Sequence, residues 1–201
     1  MGLHIHSLED LPGNIQRDYY IYLLDYGWDE PLARALENNF NRIADLSSRS
    51  GSVVLRGTDL GHFSNEVFSW HKVNGLEGED VLPAILITNE HLAKFRESSD
   101  GPEFKFDSNV RGNYSDNMKL ILLPLKKFCK TETGVVNLIS VSFKDIKAKK
   151  ELSDFKVARE IKAKPFDRAF DTLILEPNVA GIGIDLKKII REFIKPNLMT
   201  E

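Results

Sequence analysis

Five stretches of the chain are rich in apolar residues and bounded by turn formers: YYIYLLDYG (Tyr19 to Gly27), SVVLRG (Ser52 to Gly57), VLPAILIT (Val81 to Thr88), MKLILLPL (Met118 to Leu125) and FDTLILEP (Phe170 to Pro177). Runs of this length predict strands. The near-continuous apolar character of the first fits a central strand buried on both faces. Pro83 is tolerated in the third because it falls at a strand start or bend.

Helical spacing fills the gaps. After Pro31, Leu32, Ala35, Leu36, Phe40, Ile43 and Leu46 recur at the period of one amphipathic helix, for which Asp29 is the expected N-cap. HFSNEVFSWHKV puts Phe63, Val67, Trp70 and His71 on one helical face, and Thr131 or Thr133 is placed to cap a helix carrying Val135, Leu138, Ile139, Phe143 and Ile146. A short helix is expected over Asn89 to Phe95, and a closing amphipathic helix from Asp185. LSDFKVAREIKAK fits an exposed edge strand or a short helix. Residues 1–17 show no periodicity and read as an arm. Arg96 to Asn117 is polar and long for an internal loop, so it predicts an excursion or a hairpin around Phe104 and Phe106.

Strands that alternate with helices predict an α/β protein with a mixed central sheet in three layers. The expected organisation is an N-terminal arm (1–17) and one α/β domain (18–201), with a core over about 19–146 and a C-terminal strand–helix extension over 147–201.

Composition adds limits. A chain of 201 residues with 42% hydrophobic and 28% charged residues can bury a core without a metal or disulfide. The single cysteine, Cys129, excludes an internal disulfide and a multi-cysteine zinc site. No apolar run approaches the roughly 20 residues of a membrane-spanning helix, and the first residues lack the basic start and apolar stretch of a secretion signal. No membrane insertion and a cytoplasmic location are expected.

The formal net charge of -3 hides an asymmetry: residues 1–100 hold 8 Lys+Arg against 16 Asp+Glu, and the rest 19 against 14. Between Lys119 and Lys164, twelve bases, among them Lys126, Lys127, Lys130, Lys147, Lys149 and Lys150, face five acids. Such a segment suits an acidic protein, nucleic acid or the acidic half of a second copy, or else a solvated lysine face.

The first strand is followed by Trp28-Asp29-Glu30-Pro31-Leu32, and Leu82-Pro83-Ala84 precedes ILIT. In these residues and in element order, Tyr19 to Ile146 resembles the thioredoxin-like fold. That family carries a Trp-Cys-Gly-Pro-Cys motif at the start of the first core helix and a cis-proline before the third core strand. Here Asp29 and Leu32 stand where the cysteines would be, so the resemblance implies a redox-inactive member, because thiol–disulfide exchange needs an attacking thiolate and a resolving sulfur. It also implies that Trp28 and Pro83 lie side by side as a partner-binding patch.

Other constellations carry less. His62 and Glu66 are four apart and share a helical face, and with Asp59 they form a candidate catalytic set for a metal-assisted hydrolase or nuclease. The same three residues also suit surface or capping roles. RGTDLG lacks the lysine of a phosphate-binding P-loop, and GIGID before the last helix has only two glycines, with Asp185 to repel a phosphate. His4 and His6 alternate near the terminus. The leading expectation is therefore a non-catalytic protein-binding or adaptor subunit, without a cofactor or metal, whose partner is another protein or a second copy. Its surface would comprise Trp28, Asp29, Pro31 and Pro83, with Lys126, Lys127, Lys130, Lys147, Lys149 and Lys150 as a second contact. The alternatives are the hydrolase built on Asp59, His62 and Glu66, and a nucleic-acid-binding module built on 119–164.

Overall fold

The computed structural model describes residues 1–13, 15–71, 81–91, 120–162 and 174–175. It is an α/β protein. Its strands are β1 (Gly2–Ile5), β2 (Tyr19–Leu24), β3 (Ser52–Gly57), β4 (Ala84–Thr88), β5 (Leu120–Pro124) and β6 (Ile174–Leu175). Its helices are α1 (Pro31–Asn38), α2 (Phe40–Ser48), α3 (Leu60–Trp70), α4 (Leu125–Phe128), α5 (Glu132–Lys147) and α6 (Lys156–Lys162).

One mixed sheet has the order β1-β3-β2-β4-β5-β6. β1 and β2 flank β3 in parallel, with Ile21 opposite Val54, whereas β4 runs antiparallel to β2 and β5 antiparallel to β4. All six residues of β2 and all six of β3 are buried, which explains why their sequences do not alternate. Alternation survives in three dimensions. Ile21, Leu23, Ile85 and Ile87 meet Ile43 of α2 and Ile139, Phe143 and Ile146 of α5 around a void of only about 10 Å³, whereas Tyr22 packs against Phe63 of α3 and against His71.

Three sequence expectations change and a fourth is decided between its two alternatives. Residues 2–5 are not part of an arm: they form the edge strand β1, a four-residue segment whose extended state comes from pairing with β3 and not from any pattern of its own. The helix expected after Pro31 is two helices, broken at Asn39 (φ -100°, ψ 2°), whose side chain donates to the Ala35 carbonyl at 2.8 Å and so closes the first helix. Glu30 and not Asp29 is the N-cap residue of α1, because Pro31 already occupies the first helical turn; the Glu30 side chain makes no capping bond. The segment read as an edge strand or short helix is the helix α6.

Thr131 is the cap of α5, accepting from the Gly134 N–H at 3.2 Å. Tyr20 and Tyr22 are core residues, each at most 1% exposed. Asn89, Glu90 and His91, where the short helix over Asn89 to Phe95 is expected to begin, are not helical; the rest of that helix, the 96–117 excursion, the GIGID turn and the closing helix lie outside the described residues. Among the described residues no helix is long and apolar enough to cross a membrane.

Candidate recognition surface

The segment leaving β2 builds an exposed corner. Asp25 is buried, Gly27 takes a left-handed conformation (φ +75°) that favours glycine, and the chain then presents Trp28 to solvent. Among the described residues Trp28 is the exposed large hydrophobic side chain, at 42%. The Tyr26 ring meets it edge-on at 5.3 Å and donates its hydroxyl to Asn65 Oδ1 at 2.8 Å. Lys126 Nζ sits 5.8 Å from the Trp28 ring centre and 3.0 Å from Glu30 Oε1. A cation over an indole face and a carboxylate beside the cation hold Lys126 in place from two sides. Asp29 and Pro31 are exposed beside the ring, with Asp29 paired to Arg34.

Pro83 sits differently from the expected patch. The Leu82–Pro83 bond is cis, but the Pro83 side chain is buried, and its carbonyl accepts from the Leu125 N–H at 2.8 Å, tying α4 and thus Lys126 to this turn. Pro83 therefore supports the corner from below.

Beneath the corner lies a group that the sequence reading missed. Asp25 Oδ2 pairs with Arg56 Nη2 at 3.2 Å, with both side chains buried, and Asp25 Oδ1 accepts from the Gly27 N–H at 2.8 Å. Ser64 Oγ donates to the Asp25 carbonyl at 2.9 Å. One signal was present in the sequence: an aspartate and an arginine each interrupt an otherwise apolar strand run, and buried charges are rarely left unpaired.

Part of the basic segment is tied into ion pairs where it is described. Lys149 pairs with Asp18 at 3.1 Å, Lys150 with Asp145 at 2.5 Å and Lys156 with Glu160 at 3.5 Å. Asp145 also accepts from the Lys156 N–H at 2.6 Å, and Tyr19 donates its hydroxyl to the Lys150 carbonyl at 2.5 Å, so this region fastens α6 to the core. Burial, with the nearby carboxylates of Glu151, Asp18 and Asp145, pushes the Tyr19 hydroxyl up to about 12. Lys127, Lys130 and Lys147 are exposed. Lys119 and Lys164 lie outside the described residues.

The candidate acid/base set is spent on structure. Asp59 Oδ1 accepts from the His62 N–H at 3.0 Å and caps α3. Glu66 takes Ser7 Oγ at 2.7 Å on one oxygen and the Leu8 N–H at 2.8 Å on the other, so it clamps the segment after β1. His62 stacks on His6 with ring centres 5.5 Å apart, and His4 packs on Phe40 at 4.1 Å. Among the described residues no three His, Cys, Asp or Glu side chains form a group able to hold a metal ion.

Cys129 is buried, and burial raises its thiol above the usual range, the opposite of what a nucleophile needs. His71, buried at the end of α3, bonds the Val67 carbonyl through Nδ1 at 2.8 Å; burial lowers it to about 4 against the smaller opposing effect of that bond. It is neutral near pH 7 and belongs to the core.

Comparisons with protein-family models, curated proteins and solved structures give no match.

Proposed function

We propose that this chain is a non-catalytic protein-binding or adaptor subunit on a thioredoxin-like, three-layer frame, with a single α/β domain extended at its C-terminal end by a strand and helix. Trp28 is its central anchor, and Asp29 and Pro31 form the rim. The sheet order, the cis bond at Leu82–Pro83 before β4 and the start of α1 at Pro31, just past Trp28, support the frame. Asp29 and Leu32 at the motif positions, together with a buried Cys129 whose thiol is raised, argue against thiol chemistry.

One observation carries the binding reading: a tryptophan left 42% exposed while its surroundings hold it in place. Tryptophan is favoured as an interface anchor because it offers large contact area at low conformational cost. The exposed Lys127, Lys130 and Lys147 supply a second, electrostatic contact with an acidic partner or with the acidic half of a second copy. The hydrolase and nucleic-acid readings have no observation in their favour comparable to this one.

The test is a photo-crosslinking amino acid in place of the exposed Asp29, used in the native cell. The expected result is a discrete crosslinked product, to a partner or to a second copy, that disappears with Trp28→Ala. No product, or an equal yield with and without Trp28, would overturn the reading.

A further inference from the structure

We infer that the buried Asp25–Arg56 pair, with Ser64, is a positioning device that fixes the Trp28 corner before any partner arrives. The use of the corner rests on the reading above, but its geometry does not.

The pair is expensive. Asp25 is 2% exposed and Arg56 6%, and Arg56 Nε has no hydrogen-bond partner among the described residues. Taking two charges out of water is repaid only by good geometry with every polar atom satisfied, and apolar replacements of such pairs are often neutral or stabilising. Stability is therefore a poor account of this pair.

Its geometric effect is specific. With Oδ2 held by Arg56, the Asp25 carboxylate turns Oδ1 onto the Gly27 N–H, while the Asp25 carbonyl is held by Ser64 of α3. Both ends of the Asp25–Gly27 turn are thus fixed, one to β3 and one to α3. Tyr26, between them, is tied to Asn65 of the same helix. Trp28 follows directly on the left-handed Gly27, so the direction of its backbone is set by contacts of the three residues before it. An anchor held this way loses less conformational freedom on binding than one on a loose loop.

The full chain contains two tryptophans, so 5-fluorotryptophan labelling yields two fluorine resonances, and Trp28→Phe assigns them. In the double variant Asp25→Leu/Arg56→Leu the thermal midpoint is expected to hold. The Trp28 resonance should move to a solvent-averaged position while that of Trp70 stays, and Gly27 amide exchange should speed up about tenfold, the scale of one lost hydrogen bond. If the double variant does not fold, Ser64→Ala, which removes only the hydroxyl on the Asp25 carbonyl, provides the same measurement. A Trp28 resonance unchanged in the folded double variant, or in Ser64→Ala where that variant replaces it, overturns the positioning role. A resonance that moves as expected while Asp29 yields no crosslink keeps the positioning role and removes the adaptor reading.

Discussion

Two segments that follow parallel strands of this sheet carry acids and aromatics, and they use them in opposite ways. After β2, Tyr26, Trp28 and Asp29 project outward, while a buried carboxylate beneath them holds the backbone. After β3, Asp59 at the start of α3 and Glu66 further along it turn their oxygens onto backbone N–H groups and a serine hydroxyl, so their charge serves the fold. A carboxylate four residues from a histidine on a helix is compatible with chemistry, but hydrogen-bond donors nearby compete for it. Two backbone N–H groups and the Ser7 hydroxyl hold these acids. The corner after β2 has the reverse signature: its Trp28 ring is left exposed, while the bonds that hold the backbone run through Asp25 and Tyr26.

This contrast can be broken by measurement, and the largest effect lies at the far end of α3. His71 is about 4 in the folded chain against 6.5 unfolded, so the unfolded state binds more protons between those values. Its contribution to stability is complete above pH 6.5 and is lost as the pH falls through 6.5 toward 4, amounting to roughly 3 kcal/mol. Urea unfolding across this window should show that loss, and His71→Asn, which keeps a donor near the Val67 carbonyl, should flatten the curve. An unchanged slope in the variant would remove His71 from the account.

Next in size is Glu66→Ala, which strips a charged acceptor from both Ser7 and Leu8 and should cost about 3 kcal/mol in denaturant unfolding. A loss under about 0.5 kcal/mol, the scale of an ordinary surface change, would mean that the clamp is not structural and would reopen the question of its chemistry. Asp59→Ala, which removes a helix cap, should cost about 1 kcal/mol, with Asp59→Ser recovering most of it. The smallest effect should be at Trp28: Trp28→Ala is expected to change stability by less than about 0.5 kcal/mol while abolishing the crosslink at position 29. If Trp28→Ala unfolds the protein, the two segments are alike and the comparison fails.

The fold was legible where composition alone dictates burial. The runs at Tyr19, Ser52, Ala84 and Leu120 became strands because a stretch of apolar side chains has few other stable places in a chain of this size. Two things were hidden. Helical periodicity runs straight through Asn39, so nothing apolar marks the break between α1 and α2; a side chain bonding back to the Ala35 carbonyl makes it. β1 was invisible because four residues carry too little pattern, and its conformation comes from β3, distant in sequence, where Gly2 lies opposite Val54.

At the candidate site, a surface role for Trp28 beside Pro31 came only as an implication of the thioredoxin-like resemblance, and the exposure of the ring is what the structure adds. The burial of Pro83 and the capture of Glu66 by Ser7 and Leu8 were not, since each depends on which distant backbone group arrives. The Asp25–Arg56 pair lay between these cases: two charges in apolar runs announced a pairing without saying with whom.

The lone thiol acquires a use from its burial. Cys129 sits at 4% exposure between α4 and α5, with the Cα of Gly134 close enough that an added Cβ would lie 3.3 Å from the Cys129 Cβ. A thiol reagent can reach it only when that joint opens, so the labelling rate in native buffer becomes a clock for the opening, read at one natural position without engineering. The same quiet background allows a cysteine placed at position 29 to be labelled selectively, so that the corner and the joint behind it can be timed in a single molecule.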